Sequence, residues 1–177
     1  MVINLVFPTF CMAAALAMPI NPVVEVPQLV VAEARSVSNQ SRPKVALYRW
    51  NFRNDWCDAV DAETDRFLEL GYTHRTYICK VFSQPVDGTV ALNRWNLTKI
   101  DDWVSVLETA SADMERFGYR GKKLLGYIYV QPRANTQPIN RWNLPATGDW
   151  VTVPESASAD MERFGYTNKT LIGYAPL

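Results

Sequence analysis

A ten-residue segment that occurs twice without change constrains the fold of this chain more than any other feature. Residues 110–119 (ASADMERFGY) recur as residues 157–166, 47 positions further on. Upstream, the RWNL of 94–97 recurs at 141–144 with the same spacing. Self-similarity at a fixed period indicates repeated supersecondary units, each of which needs its neighbours to bury its apolar face.

A degenerate copy of the same unit precedes these two. RWN at 49–51 is followed by DW at 55–56 and GY at 71–72, and the connection between its tryptophans is two residues shorter than in the later copies. All six tryptophans of the chain fall inside the three copies, two in each. The predicted repeats span residues 44–82, 90–130 and 137–177.

Each repeat has the same predicted secondary structure. Alternating β-branched, aromatic and aliphatic residues indicate a strand, a polar turn and a second strand that begins at Asp-Trp. A short helix follows, for which Thr64, Ser111 and Ser158 are the expected N-caps, and Gly-Tyr ends it before a third strand. We therefore predict a mainly β fold with short helices (β-rich α+β), in which the repeats form a pseudo-threefold closed arrangement of β-trefoil or three-bladed propeller type.

The first 43 residues differ in composition from the repeats. Residues 1–17 form an uncharged apolar run that ends in Ala-Leu-Ala, as a secretory signal peptide does. Residues 18–43 are rich in Pro, Val and Ser and are typical of a linker or pro-segment. We expect a secreted, extracellular protein whose single domain covers 44–177, with no membrane association after signal cleavage.

The cysteines and sequons agree with secretion. Cys11 would leave with the signal peptide, so the mature chain keeps Cys57 and Cys79. In an oxidising compartment this pair predicts a disulfide between strands two and three of the first repeat, with free buried cysteines as the alternative. Three N-x-S/T sequons predict N-glycosylation; they begin at Asn39, Asn96 and Asn168.

Tryptophan, arginine and aspartate recur at matching positions of the repeats and are the candidate ligand contacts. An indole offers a flat apolar face to a sugar ring, and the two tryptophans of a repeat are expected on one face of their hairpin. The alternative is that the tryptophans pack under the helices and that each arginine is a structural partner of the neighbouring aspartate. The candidates are Trp50, Trp56, Trp95, Trp103, Trp142, Trp150, Arg49, Arg94, Arg141, Asp55, Asp102 and Asp149.

Several function classes receive no support. Eighteen basic and eighteen acidic residues give no excess positive charge for nucleic-acid phosphates. The one histidine, His74, lies outside the repeat symmetry and is interpreted as a surface residue. No HExxH, GxSxG, phosphate-loop or dinucleotide motif occurs. We therefore predict a non-catalytic protein without metal or cofactor; a hydrolase with an unrecognised carboxylate pair is the least favoured option.

The order Tyr-Arg-Trp-Asn, Gly-Asp-Trp, short helix, Gly-Tyr and Gly-Tyr resembles an aromatic repeat of uncharacterised function in secreted fungal and bacterial proteins. The resemblance covers about three quarters of the chain. It implies that three copies make one domain, in some proteins attached to cell-wall hydrolases or peptidases. The chain departs from the family's Asp-His-Phe-Tyr-Thr at 149–153 and from its Glu-Gly before the last strand.

Together these features predict a secreted, non-catalytic binding domain. Its expected ligand is a carbohydrate of a cell wall or cell surface, and its expected state is a monomer. The alternative is a secreted structural or protein-interaction protein, an effector or coat component, whose partner is a cell-surface protein.

Overall fold

The computed structural model describes residues 42–53 and 55–177. The expected signal peptide, most of the expected linker, Cys11 and Asn39 lie outside the described residues. The nine strands are β1 (Lys44–Phe52), β2 (Asp55–Val60), β3 (Thr73–Phe82), β4 (Thr89–Leu97), β5 (Asp102–Leu107), β6 (Arg120–Tyr129), β7 (Thr136–Leu144), β8 (Asp149–Pro154) and β9 (Thr167–Pro176). The three helices are α1 (Thr64–Glu69), α2 (Ser111–Arg116) and α3 (Ser158–Arg163). No helix in the described part of the chain has the length and apolar character needed to span a membrane.

The order strand, strand, helix, strand occurs three times, so the predicted mainly β fold with short helices is confirmed. In each repeat the first strand lies between the other two and pairs antiparallel with both. Single ladder contacts join the repeats, Phe82 to Tyr127 and Tyr129 to Tyr174. The hydrogen-bonded sheet is open: it runs β2-β1-β3-β6-β9-β7-β8, with β4 paired to β6 and β5 paired to β4.

The repeats share one apolar core and each has a smaller core of its own. Leu47, Leu92 and Ile139, at matching positions of the three first strands, are fully buried in the shared cluster. The smaller clusters centre on Trp50, Trp95 and Trp142 and pack under the helices. A single repeat therefore could not bury its apolar residues alone, as expected for a repeat fold.

Each helix is short because local signals end it. Gly71, Gly118 and Gly165 follow the helices with φ values of 84°, 92° and 84°, the left-handed conformation that glycine adopts at a helix C-terminus. These stops were predicted correctly. The predicted N-caps were wrong by one residue, because a 3-10 turn precedes each helix and puts Glu63, Ala110 and Ala157 at the cap without a capping side chain.

The two tryptophans of a repeat do not share a face. In the first hairpin Trp50 is opposite Cys57, and Asn51 is opposite Trp56. Residues directly opposite one another share a face and successive residues alternate, so Trp50 and Trp56 point to opposite sides. The same register holds in the other two hairpins. The expected same-face tryptophan pair is therefore wrong.

The expected disulfide is also wrong, since Cys57 and Cys79 are both free and buried. Cys57 lies on β2 and Cys79 on β3, and β1 runs between them. Two strand spacings separate their backbones by about 10 Å, whereas a disulfide needs Cα atoms within about 7 Å. Free buried cysteines, the alternative, are what the structure contains.

Candidate functional site

Three aspartates meet where β2, β5 and β8 begin. Asp55, Asp102 and Asp149 each stand first on their strand, and one carboxylate oxygen from each lies within 4.8 Å of the others. Asp102 and Asp149 are only 6% and 7% exposed. Equivalent positions of three repeats thus bring three acidic groups together at one point.

Two of the three aspartates accept a hydrogen bond from equivalent tyrosines. The Tyr166 hydroxyl donates to Asp149 Oδ2 at 2.9 Å, and the Tyr119 hydroxyl donates to Asp102 Oδ2. The backbone N–H of Trp56 donates to Asp55 Oδ1 at 2.9 Å. Among the described residues, Asp102 Oδ1 and Asp149 Oδ1 are buried without a hydrogen-bond partner.

Burial and mutual repulsion shift the acidity of these groups. Burial, together with the charges of Asp149 and Asp102, raises the pKa of Asp55 to about 8. Burial likewise raises the pKa of Asp102 to about 6, against the lowering effect of the Tyr119 hydrogen bond. The pKa of Asp149 is raised by burial, although the Tyr166 hydrogen bond opposes the shift. Near neutral pH the carboxyl groups can therefore share a proton, and their oxygens are of the kind that a hard cation such as Ca²⁺ prefers.

A groove of about 400 Å³ runs beside this cluster, between the first and third repeats. We call it the Trp56 groove. Its volume lies within the range of small-ligand sites. Its lining residues are Asn51, Trp56, His74, Leu144, Thr147, Asp149 and Tyr166. Trp56 is half-buried and combines there with amide, carboxylate, hydroxyl and imidazole groups.

The six predicted tryptophan contacts divide into two sets. Trp50, Trp95 and Trp142 are 2–3% exposed in the small cores, which agrees with the packing alternative. Trp56, Trp103 and Trp150 are half-buried, and each packs against the core of another repeat. Only Trp56, of the six, lines the groove that also holds Asp149.

The three arginines stack on the second tryptophans. The guanidinium carbons of Arg49 and Arg141 lie 4.6 Å from the ring centroids of Trp56 and Trp150, and that of Arg94 lies 5.1 Å from the Trp103 centroid. Such a cation–π contact adds about 0.5–2 kcal/mol.

The expected Arg–Asp pairs are not formed. In the β1–β2 ladder Arg49 is opposite Asp58, so these two side chains share a face. Asp55 lies three residues before Asp58 on β2, an odd number, so its side chain points to the other face of the sheet. Of the three arginines, Arg94 alone forms an ion pair within the described residues, with Glu63 of the first repeat. The first-repeat arginine and aspartate therefore do not pair with one another.

The two described sequons have different accessibility. Asn96 is buried, and its side-chain amide donates to the Asp102 carbonyl at 3.4 Å. Asn168 is exposed on β9, where it has a φ of 53°. Only Asn168 presents its amide at the surface for modification.

Sequence reasoning missed several residues of these sites. Tyr166 and Tyr119 were noticed only as part of the Gly-Tyr stop, and Asn51 only as part of the repeated strand. His74 is exposed, as predicted, and it also lines the Trp56 groove, which the sequence did not indicate. An alignment of the repeats could have identified Glu63, because it is an acidic residue at a position where the later repeats have Ala110 and Ala157.

Comparisons with protein-family models, with curated proteins and with solved structures found no match for this chain. The resemblance to the secreted aromatic repeat therefore stays a prediction.

Proposed function

We propose that this chain is a secreted, non-catalytic binding domain that holds a carbohydrate of a cell wall or cell surface in the Trp56 groove. The observation that supports the proposal is the combination in one groove of a half-buried indole with Asn51, Asp149 and Tyr166. Ligand sites typically join an apolar wall to a few convergent polar groups. The indole would contact the C–H face of a sugar ring, and the polar groups would bind its hydroxyls.

Asn51 gives a matched test. Its side-chain amide donates to the Asp55 carbonyl at 3.1 Å, and Asn143 makes the equivalent bond to the Asp149 carbonyl at 3.1 Å. The two residues thus have the same structural role, but only Asn51 lines the Trp56 groove. Substitution of either by Ala should cost similar stability, whereas only Asn51→Ala should weaken glycan binding.

The experiment is a glycan array followed by calorimetric titration of the best neutral oligosaccharide. We expect quenching or shielding of Trp56 fluorescence when the glycan binds. We also expect Asn51→Ala to bind the glycan about tenfold more weakly, since loss of the amide leaves a hydroxyl group of the sugar without its hydrogen bond. Absence of glycan binding to the wild type, or equal losses in Asn51→Ala and Asn143→Ala, would overturn the proposal. Recovery of the glycan in cleaved form would overturn its non-catalytic part.

We further propose that the repeats close around a pseudo-threefold axis in a propeller-like manner. The tryptophan contacts support closure, because Trp103 packs against the first repeat, Trp150 against the second and Trp56 against the third. Lys44 Nζ also donates to the Leu177 carbonyl at 3.1 Å, so the ends of the domain are adjacent. A circular permutant that joins 177 to 44 and opens at 83–88 should unfold at nearly the wild-type urea concentration; failure to fold would argue against closure.

A second candidate function is binding to a cell-surface protein. Leu70, Phe117 and Phe164 follow the three helices at matching positions and are 55%, 60% and 59% exposed. Each repeat thus exposes a large apolar side chain that a partner protein could bury. Phe117→Ser with Phe164→Ser should then abolish attachment to intact cells while glycan binding persists.

A further inference from the structure

The three equivalent arginines have unequal surroundings, and Arg94 shows the complete arrangement. Its NH2 and NH1 atoms lie 3.2 and 3.5 Å from Glu63 Oε1 and Oε2, and NH1 also donates to the Asp58 carbonyl at 2.7 Å. Both partners of the ion pair are buried. The second repeat thus places its guanidinium on a carboxylate that the first repeat supplies.

The third repeat places Arg141 against the second repeat in the same way, but the carboxylate that would match Glu63 is missing. Ala110 stands at the position that matches Glu63. Arg141 makes no ion pair or hydrogen bond with any residue in the described ranges. Within the same ranges its Nε is buried without a partner, as are those of Arg94 and Arg49. Arg141 is half-buried, and its burial lowers the pKa of the guanidinium, so a bound anion would stabilise its charge.

Arg49, the third member of the set, is different again. It also faces an alanine, Ala157, at the position that matches Glu63. Burial lowers the pKa of Arg49 too, although Asp58, Tyr166 and Asp149 oppose the shift. At Arg141 the opposing group is Tyr119, so Arg141 has no carboxylate among the described groups that act on its pKa.

Open space exists where the missing carboxylate would lie. A cavity of about 160 Å³ is lined by Arg141, Ser105, Thr109, Ala110, Thr170 and Leu171, among others. We call it the Arg141 pocket. Because water occupies about 30 Å³ in the liquid, this volume holds about five water molecules or a small organic acid. Its hydroxyl groups and its apolar wall would surround such a ligand.

We propose that the Arg141 pocket is a binding site for the carboxylate of a small acid, which takes the place that Glu63 occupies on Arg94. The planar guanidinium can hold a carboxylate through two parallel hydrogen bonds. The site lies between the second and third repeats and does not include any residue of the Trp56 groove. It therefore adds a second ligand class to the proposed function without depending on it.

The test follows the Arg141 Nε–Hε resonance by NMR during titration with sodium acetate, against sodium chloride of equal ionic strength. Parallel titrations with D-glucuronate and with neutral D-glucose distinguish a sugar acid from a simple acid. We expect saturable shifts of the Arg141 resonance with acetate, glucuronate or both, and none with chloride or glucose. An Arg141 resonance that stays unchanged with both acids would overturn the proposal.

Two alanine substitutions provide the matched pair. Ala110→Glu should place an internal carboxylate on Arg141 and reduce binding by about tenfold or more, since the ligand would have to displace a buried ion pair. Ala157→Glu makes the same change beside Arg49 and should leave the Arg141 titration unchanged. Acetate binding that persists at full affinity in Ala110→Glu would overturn the assignment to this pocket, and so would an equal loss in Ala157→Glu.

Discussion

Arg94 on β4 reaches from the second repeat to the first, where it forms a buried ion pair with Glu63, NH2 to Oε1, at 3.2 Å. The equivalent arginines lack such a partner within the described residues. The contacts between the three repeats therefore differ, because in the described part of the chain one of the three equivalent arginines has an ion-pair partner and the other two do not. The asymmetry allows each contact to be tested separately.

Glu63→Ala should lower the free energy of unfolding by about 3–5 kcal/mol, because it removes the one ion-pair partner that the described residues give the buried Arg94 guanidinium. Urea denaturation followed by tryptophan fluorescence would measure the loss. Asp113→Ala is the control: it breaks the exposed Asp113–Arg116 pair and should cost about 0.5 kcal/mol. Equal effects of the two substitutions would contradict the structural role given to Glu63.

The same variant should gain a ligand site. Ala110 is the residue that matches Glu63 in the second repeat. Glu63→Ala would therefore give Arg94 the same neighbour that Arg141 has in the natural sequence. Sodium acetate should therefore restore part of the lost stability, since a ligand that binds only the folded state stabilises it. Sodium chloride at equal ionic strength is the control. A Glu63→Ala protein that gains no more from acetate than the wild type does would contradict the expectation.

Stability should fall as the pH rises from about 4 to about 8. The pKa of Asp55 is about 8 in the folded protein against 3.8 for the ordinary carboxyl group. Between these values the folded state holds a proton that the unfolded state has lost, so an increase in pH favours unfolding. Asp55→Asn should remove this pH dependence. At pH 8 its free energy of unfolding should exceed that of the wild type by at least about 1.4 kcal/mol, the equivalent of one pKa unit.

Urea denaturation of both proteins at pH 5, 6, 7 and 8 would measure the effect. Asp102→Asn provides a second test, because loss of its charge should lower the pKa of Asp55 and make the slope shallower. If Asp55→Asn keeps the wild-type slope, the carboxyl cluster does not retain a proton in the folded state.

Local features of the sequence predicted the elements, because their causes are local. The second strand of each repeat was predicted to begin at Asp-Trp, and in the third repeat it is Asp149–Pro154. The glycine stops after the helices were also correct, since left-handed φ at a helix end favours glycine wherever it occurs. The mainly β class with short helices follows from these elements.

The candidate sites depended on contacts between repeats, which no local pattern specifies. The hairpin register places Asn51, and not Trp50, opposite Trp56, so Trp56 lies on the face of the hairpin away from its own small core. There it packs against the core of the third repeat. The aspartates were assigned to the arginines because both recur, yet the fold turns them to opposite faces. The aligned repeats show that Glu63 is replaced by alanine at position 110. The alignment does not show that Glu63 contacts Arg94, so the effect of the replacement became clear only from the ion pair in the structure.

The cysteine thiols should be unreactive in the native protein. Cys57 and Cys79 are buried, and burial raises the pKa of both thiols, so little thiolate is available. In a Cys11→Ser background, Ellman's reagent should label neither cysteine in buffer and both in guanidinium chloride. Dithiothreitol should leave the urea midpoint unchanged; a decrease would indicate a disulfide and contradict the structure.

Gly173 on β9 should not tolerate a side chain. A Cβ atom there would lie 2.6 Å from the Tyr129 carbonyl oxygen and 3.0 Å from Ile128 Cδ1. Backbone of the neighbouring repeat cannot move away without disturbing the Tyr129–Tyr174 ladder contact. Gly173→Ala should therefore cost about 1–3 kcal/mol in unfolding free energy, the usual penalty of overpacking. The control is Cys79→Ala at the matching position of the first repeat, where a Cβ atom is already accommodated. If urea denaturation finds Gly173→Ala no more destabilising than Cys79→Ala, the close packing of β9 against β6 is not a constraint on the fold.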